Sequence, residues 1–387
     1  MKHSLISGKQ IAIVGGGPVG LTLASILQQR GANVTVYERD PNSDARNGGG
    51  TLDVHAEDGQ KALAAAGLLA QFRKLARPTA ERIADKNGVI EQEETPDETT
   101  AYDRPEIDRT DLHRLLLGSL APSTVIWNQN FQALEEQDGR FILQFAGQPD
   151  QVADLVIGAS GGRSKVRPYV TAAEPEYSGT FGMQGEILNP QIQCPAFCAL
   201  VNGGNLLVRG ERKLLFAHTK ADGALHYYLS FRQPADELVQ RGLTTPQSTS
   251  STIAFLAEEL ATWAPLYHEA FRATTAFDFL LTHRLPLVPS REVTRPITLV
   301  GDAAHLMPPF AGIGVNIGLV DALNLAENLT NGQFVSLEAA IQAYEHTMYS
   351  YAHEAQEMTA IAELAIHSNM SNAEMLAVTR GPEHATI

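Results

Sequence analysis

Cysteine is nearly absent from this chain: Cys194 and Cys198 are its only two. No disulfide framework can be built from them, and such sparing use suits a reducing compartment. Their C-x-x-x-C spacing has no companion Cys or His cluster, so no metal site is expected and both are read as free thiols in or near a core. Positive charge is also scarce. Lys and Arg number 29 against 44 Asp and Glu, for a net charge of −15, and no basic run appears, which argues against nucleic acid and against anionic membrane as partners. No apolar run approaches the roughly 18 residues of a membrane span. The first nine residues are short and polar, and the apolar stretch after them is interrupted by Gly15, Gly16, Gly17 and Pro18, so no signal peptide is read there. The expected location is the cytoplasm, and the expected state a monomer. Internal repeats and low-complexity segments are lacking as well.

What remains is ordinary globular composition, 44% hydrophobic and 19% charged, over 387 residues. That is too long for one comfortable core, so two domains are expected. Gln10 to Val14 is a short β-branched run, followed by a glycine cluster and then helical apolar spacing from Val19 to Gln29. Ala32 to Tyr37 is a second buried strand, completing a β-α-β unit. The spacing predicts one helix over Gly59 to Arg73, a hairpin turning on Asn87-Gly88, a helix over Thr110 to Ser119, and antiparallel strands from Val125 to Phe145 turning at Asp138-Gly139. Asp154 to Ile157 reads as a return to the first sheet. From Thr180 to Arg284 the pattern changes to strands at Phe181–Ile187, Ala196–Val201, Leu206–Val208, Lys213–Ala217 and Leu225–Phe231, then helices over Ser251–Trp263 and Pro265–Ala273. Pro296 to Val300 is again a strand, Gly314 to Leu329 a helix, and Glu345 to Ile366 an unbroken one. The expected fold is α/β: a discontinuous Rossmann-like domain (residues 1–72, 98–172 and 287–347), an inserted mixed-sheet domain (73–97 and 173–286), and a C-terminal bracing helix and tail (348–387).

Two motifs carry chemistry. Gly15, Gly17 and Gly20 form G-x-G-x-x-G between a strand and a helix. The first permits a tight turn, the second a close approach to pyrophosphate, and the third close helix–strand packing. Glu38 ends the second strand, where a carboxylate can accept ribose hydroxyls. These features bind a dinucleotide without distinguishing FAD from NAD. Nearly 300 residues downstream comes Gly301-Asp302-Ala303-Ala304-His305, then Pro308, and Gly312-x-Gly314-x-Asn316. A strand-end Asp302 can bond a ribityl hydroxyl, Gly312 and Gly314 let backbone N–H groups approach a flat ring, and the following helix N-terminus favours an anionic reduced flavin.

Together these motifs resemble the group A flavoprotein monooxygenases, the p-hydroxybenzoate hydroxylase family. VYERD (Val36 to Asp40), GGTLD (Gly49 to Asp53), AHLMPPFAG (Ala304 to Gly312), LVDAL (Leu319 to Leu323), IQCP (Ile192 to Pro195) and GALH (Gly223 to His226) are similar to its TetX-like, tetracycline-inactivating branch. The resemblance implies FAD as resident cofactor, NADPH as reductant, dioxygen as co-substrate, and hydroxylation through a flavin 4a-hydroperoxide. It implies a tetracycline-type polycycle as substrate, free or as its magnesium chelate. FAD contacts are implied at Glu38, Arg39, Asp53, Arg109 and Asp302, and around Pro309, Gly312, Gly314, Val315 and Asn316; Arg46 is placed where the nicotinamide approaches. Gln184 and His226 would grip the polar edge of the substrate, and Phe216, Pro309, Phe310 and Gly312 would line its cavity. The implied chemistry needs no protein nucleophile. Three positions depart from the pattern: Ile313 replaces a Gln, Ser160-Gly161 replaces Asp-Gly, and Asn205 stands where a substrate-binding Arg is expected, with Arg209 nearby as a substitute. A hydroxylase of another aromatic or polyketide substrate is the alternative, and a flavoprotein that binds such compounds without turnover is a third. Taken singly, His305 could cap a turn, His226 could be structural and Arg109 a surface residue. His346 and His353 are read as solvated, and Trp263 as core.

Overall fold

The computed structural model describes residues 5–45, 49–245, 247–287 and 292–380. Its first sheet has five strands, all parallel, in the spatial order Ile297–Leu299, Leu155–Gly158, Gln10–Val14, Asn33–Tyr37, Val125–Ile126. Ile11, Ala12, Ile13, Val156 and Ile157 are fully buried, the continuous apolar run of a sheet covered on both faces. Helices Pro18–Gln29 and Gly314–Thr330 pack on each other beside it. The chain leaves this sheet twice, after Tyr37 and after Gly158, and both excursions contribute to a second sheet.

That sheet has seven strands in the order Phe277–Arg284, Glu176–Ile187, Leu225–Arg232, Lys213–Thr219, Asn205–Gly210, Glu81–Asp85, Ile90–Glu94. It is mixed because Asn205–Gly210 runs parallel to Glu81–Asp85 while the other pairs are antiparallel. Strand alternation gives it two unlike faces. Phe181, Met183, Ile187, Leu206, Val208, Leu215, Tyr227 and Leu229 point into a second core with Phe197, Leu256, Trp263, Tyr267 and Phe271 from the covering helices. The opposite face carries Gln184, Asn205, Phe216, His218, His226 and Tyr228 and turns toward the first sheet's loops.

Four local expectations are corrected. Residues 196–201 form the end of a helix, Pro195–Val201, rather than a strand. Pro195 stands at the first helical position, and Phe197, Leu200 and Val201 fall on one buried helical face, a spacing too short to separate from a strand by pattern alone. The single helix over Gly59 to Arg73 is two, Gly59–Ala65 and Leu69–Leu75, divided at Gly67 with φ +67°. Val125–Ile126 pairs parallel at the edge of the first sheet, and only Phe131–Gln137 and Arg140–Phe145 form the antiparallel hairpin on Asp138-Gly139. Strand Phe277–Arg284 forms where no strand is expected.

Helix Leu337–Ile366 begins at Ser336, whose hydroxyl accepts the Ala339 N–H at 3.2 Å. Its far end is clasped by Arg209. That guanidinium donates to the carbonyls of Ile366 (2.9 Å), Ala365 (3.0 Å) and Met370 (3.2 Å) and to Asn372 Oδ1 (2.9 Å). A cation on the orphan carbonyls of a helix C-terminus is favoured both by hydrogen bonding and by the helix dipole. Arg209 is therefore committed to the helix end and does not substitute for an Arg at position 205. Arg209→Met should cost about 3 kcal/mol, since several buried acceptors lose a charged donor. Hydrogen exchange should show the loss of protection concentrated in residues 362–376, with the parallel sheet unaffected.

Candidate active site

The glycine loop follows Gln10–Val14 directly. Gly15 has φ +119°, and a Cβ there would lie 2.5 Å from the Ala159 carbonyl oxygen; one at Gly20 would lie 2.3 Å from the Gly15 oxygen. Only glycine permits this contact of loop, helix and neighbouring strand. Gly17 caps helix Pro18–Gln29 with no side-chain bond, so the first-turn N–H groups have no side-chain cap. Glu38 is buried at the end of its strand. It accepts the Gly16 N–H at 2.6 Å and the Asp40 N–H at 3.1 Å, locking the loop to the second strand. Arg39, next to it, is exposed. Arg46 lies outside the described residues.

The second motif faces the same cleft. Asp302 opens the short helix Asp302–His305, and Arg109 opens helix Arg109–Gly118. Both side chains reach solvent because they line an open cleft, yet its walls remove enough water to move both. Burial raises the Asp302 carboxyl above its ordinary value, partly offset by His305 and Arg109, and burial lowers Arg109, partly offset by Asp302 and Glu106. Neither charged end group has a hydrogen-bond partner among the described residues. A guanidinium and a carboxylate that face one open cleft without partners are a donor and acceptor set for a polar ligand, and the uncapped helices on either side add N–H donors for phosphate. The residues present fit FAD.

Asp53 sits between the motifs. Burial alone would raise its carboxyl, but the hydrogen bond from His55 (2.9 Å) and the charge of Arg104 (3.0 Å) outweigh it and hold it below the usual carboxylate range. Gly312 stands beside this carboxylate. Asn316 is fully buried and binds backbone on both sides, donating to the Asp53 carbonyl (3.0 Å) and accepting the His55 N–H (2.9 Å). Helix Gly314–Thr330 starts without a side-chain cap, at Ile313, leaving the N–H groups of Gly314, Val315 and Asn316 without intrahelical partners. Pro309 and Gly312 are exposed to the cleft, and Phe310 is half-buried.

His305 neither caps a turn nor faces the cleft. It is fully buried against Asp321 at 2.7 Å, and Asp321 also accepts the Gly301 N–H (2.6 Å) and the Tyr351 hydroxyl (2.6 Å). Burial disfavours the charged imidazole, but the Asp321 carboxylate outweighs it and raises the His305 pKa. The two motifs GDAAH and LVDAL are thus the halves of one buried joint, which period and spacing could not show.

On the inner face of the seven-stranded sheet, register sets side chains in rows across the strands. One row reads Asn205, His218, His226, Glu186; the next reads Leu207, Phe216, Tyr228, Gln184, Asp278. Gln184 and His226 are therefore diagonal neighbours on one face. The Gln184 amide reaches Asp278 at 3.3 Å, and Phe310 stands 6.4 Å from the Tyr228 ring. His226 stacks on His218 with ring centroids 5.0 Å apart. Burial, with neighbouring positive charge adding to it, lowers His218 to about 3; burial lowers His226 to about 4 although Glu186 opposes it, so both are neutral at ordinary pH. Asn205 is buried, and its amide donates to Glu106 at 2.9 Å. His218, Tyr228 and Glu106 were not singled out from sequence. The first two alternate on the same strands as Phe216 and His226, which the resemblance alone marked, while nothing local marks Glu106.

Burial pushes the Glu106 carboxyl up to about 7, with Asp53 adding to the rise and Thr51 and Asn205 opposing it. A carboxyl whose pKa is higher folded than unfolded stabilises the fold fully below its unfolded value. That stability is lost as pH rises from about 4.5 to about 7. Glu106→Gln should therefore raise the melting temperature above pH 7 and flatten its pH dependence, by a free energy on the order of 3 kcal/mol. Asp302→Ala should weaken FAD retention, measured by flavin release during gel filtration, much more than it alters the melting temperature of flavin-free protein. Equal losses would place Asp302 outside the cleft's chemistry.

A family model described as "FAD binding domain" matches residues 9–359. The monooxygenase asqM of Emericella nidulans is 31% identical, across 90% of this chain and 94% of its own. The structure of Klebsiella pneumoniae HpxO complexed with FAD and uric acid has a TM-score of 0.80 at 20% identity, covering 97% of this chain and 94% of that one. Tetracycline destructase Tet(55) has a TM-score of 0.75, also at 20% identity, covering 98% of each chain. At such identities the two structures establish the fold alone. The family match and the curated relative go further: the chain belongs to the FAD binding domain family and is a flavin-dependent monooxygenase.

Proposed function

We propose that this monooxygenase hydroxylates a bulky polar polycycle of the tetracycline type, taking its electrons from NADPH. The observation that carries this reading is the inner sheet face, where an amide and a neutral imidazole (Gln184 and His226) lie diagonally beside Phe216 and Tyr228, opposite Phe310. Such a wall suits a flat, oxygen-rich molecule, with polar groups for enol and amide oxygens and aromatic surface for the rings. When bound, FAD supplies the redox chemistry, accepting electrons from the nicotinamide and activating dioxygen. The chain's own residues bind, orient and exclude water. Arg109, Asp302 and the helix N-termini would hold the cofactor, Gln184 and His226 the substrate oxygens. The fold shared with Tet(55) supports this substrate class.

A second reading, hydroxylation of a smaller aromatic or heterocycle, is favoured by Asn205. Its amide is spent on Glu106, and Arg209 is spent on the C-terminal helix, so no arginine of strand Asn205–Gly210 reaches the site. The fold shared with HpxO, whose structure holds uric acid, supports it.

Purified enzyme with NADPH, air and tetracycline should consume NADPH only when the drug is present, with loss of the drug's long-wavelength absorbance. Silence toward tetracycline with turnover of phenolic acids would select the second reading, and silence toward both would leave a binding protein. Gln184→Ala should raise KM about tenfold with little change in kcat, the signature of a uniform hydrogen bond worth about 1.4 kcal/mol. Arg46→Ala should slow flavin reduction by NADPH in stopped flow while leaving reoxidation of dithionite-reduced enzyme unchanged.

A further inference from the structure

Between the inner face of the large sheet and the two-stranded sheet Thr51–Asp53 and Glu106–Asp108, buried polar atoms without hydrogen-bond partners crowd together: Glu106 Oε2, Asn205 Oδ1, His218 Nδ1, His226 Nδ1 and Arg77 Nη1. Glu106, Asn205, His218 and His226 are 8%, 5%, 6% and 8% exposed. Leaving one such atom unpaired costs about 1–3 kcal/mol, and folded proteins settle the debt with ordered water where donors and acceptors are mixed. They are mixed here. His218 Nε2 accepts the Thr51 N–H at 3.1 Å, so the neutral ring carries its proton on Nδ1 and donates there. Arg77 also donates; Glu106 Oε2 and Asn205 Oδ1 accept.

The group is contiguous. Asn205 binds Glu106 at 2.9 Å, pairs across the strands with His218, and His218 stacks on His226. Gly50 closes the side facing the cofactor cleft: a Cβ there would lie 2.3 Å from His218 Nε2 and 3.0 Å from His226 Nδ1.

We propose that Glu106, Asn205, His218 and His226, with ordered water among them, form a buried proton relay that takes the proton of the substrate's enol or phenol and stores it on the Glu106 carboxylate. The substrate half of this statement rests on the reading of His226 as a substrate contact; the relay itself does not. The substrate's O–H proton passes to His226 Nε2 while the Nδ1 proton leaves to water, and a proton of that water chain arrives at Glu106 Oε2. His226 ends neutral in its other tautomer, and the negative charge of the carboxylate has moved to the substrate oxygen, which is the electron-rich form that accepts an oxygen atom. His218 passes no proton, because the Thr51 amide pins its Nε2. It orients the water. Glu106 suits the store: it faces Asp53 and Thr51 across its own sheet, Asn205 and Glu81 from the large sheet, and the charge of Arg109, and it exchanges its proton at about pH 7.

The test uses the FAD-loaded enzyme without substrate, so failure to turn over any tetracycline leaves it informative. Infrared spectra should show a carboxylic acid band that titrates at about pH 7, and the ring-nitrogen NMR signals of His226 should inflect at the same pH while the ring stays neutral. Glu106→Gln should abolish the band and the inflection together. Asn205→Leu should keep the band, move its midpoint upward because a hydrogen bond to the carboxylate is lost, and remove the inflection at His226. Absence of a carboxyl titrating near neutrality in the wild-type protein overturns the proposal, whatever the variants do. Persistence of the His226 inflection in Glu106→Gln overturns it as well, and persistence in Asn205→Leu overturns the path through Asn205.

Discussion

Three parts of the molecule meet at backbone distance along residues 49–55, and the rest of the site depends on that contact. Gly49 lies against Arg109, Gly50 against His218 and His226, and the Thr51 N–H donates to His218. The Asp53 carbonyl and His55 N–H are both bound by Asn316, and the Asp53 carboxylate by Arg104. A short segment without side-chain bulk at two successive positions thus ties the inner face of the large sheet to the helix that follows the second motif. Any Cβ at Gly50 would part them, and the cofactor cleft and the substrate wall would no longer share an edge.

Around this joint the protein spends its polar groups in two ways. Some are spent on fixed structural contacts: Asp321 with His305 and Tyr351, Glu38 with the glycine loop, Arg209 with the C-terminal carbonyls. These hold elements that arrive from distant parts of the chain. Others keep an atom unpaired, Glu106 and His226 in burial and Asp302 and Arg109 on the cleft wall, and their proton affinities move accordingly. Perturbed groups gather where ligands bind because the same desolvation that shifts a pKa strengthens a contact to a ligand.

Much of the nucleotide half was legible because its signals are local. A β-branched run, three glycines at fixed offsets and a strand-end carboxylate are set by backbone geometry within thirty residues. The second motif is equally compact. The sheet's inner face was legible in part: the resemblance pointed to Phe216 and His226, and the strand register shows them sharing that face with His218 and Tyr228. Where short apolar runs lacked a period, as at Pro195–Val201, the reading failed, since six residues can satisfy either a helical or an extended face.

Sequence by itself determined the cofactor class, the order of the two motifs and the presence of an inserted sheet, because each follows from residues close together in the chain. Tertiary structure alone decided that Asn205, the cross-strand partner of His218, is spent on Glu106, Arg209 on a helix end, and that His305 answers Asp321. Those partners are separated by 16 to 163 residues. No local preference encodes such pairings. They are selected only when burial strips water from each group and leaves whichever neighbour the fold has brought within hydrogen-bond reach.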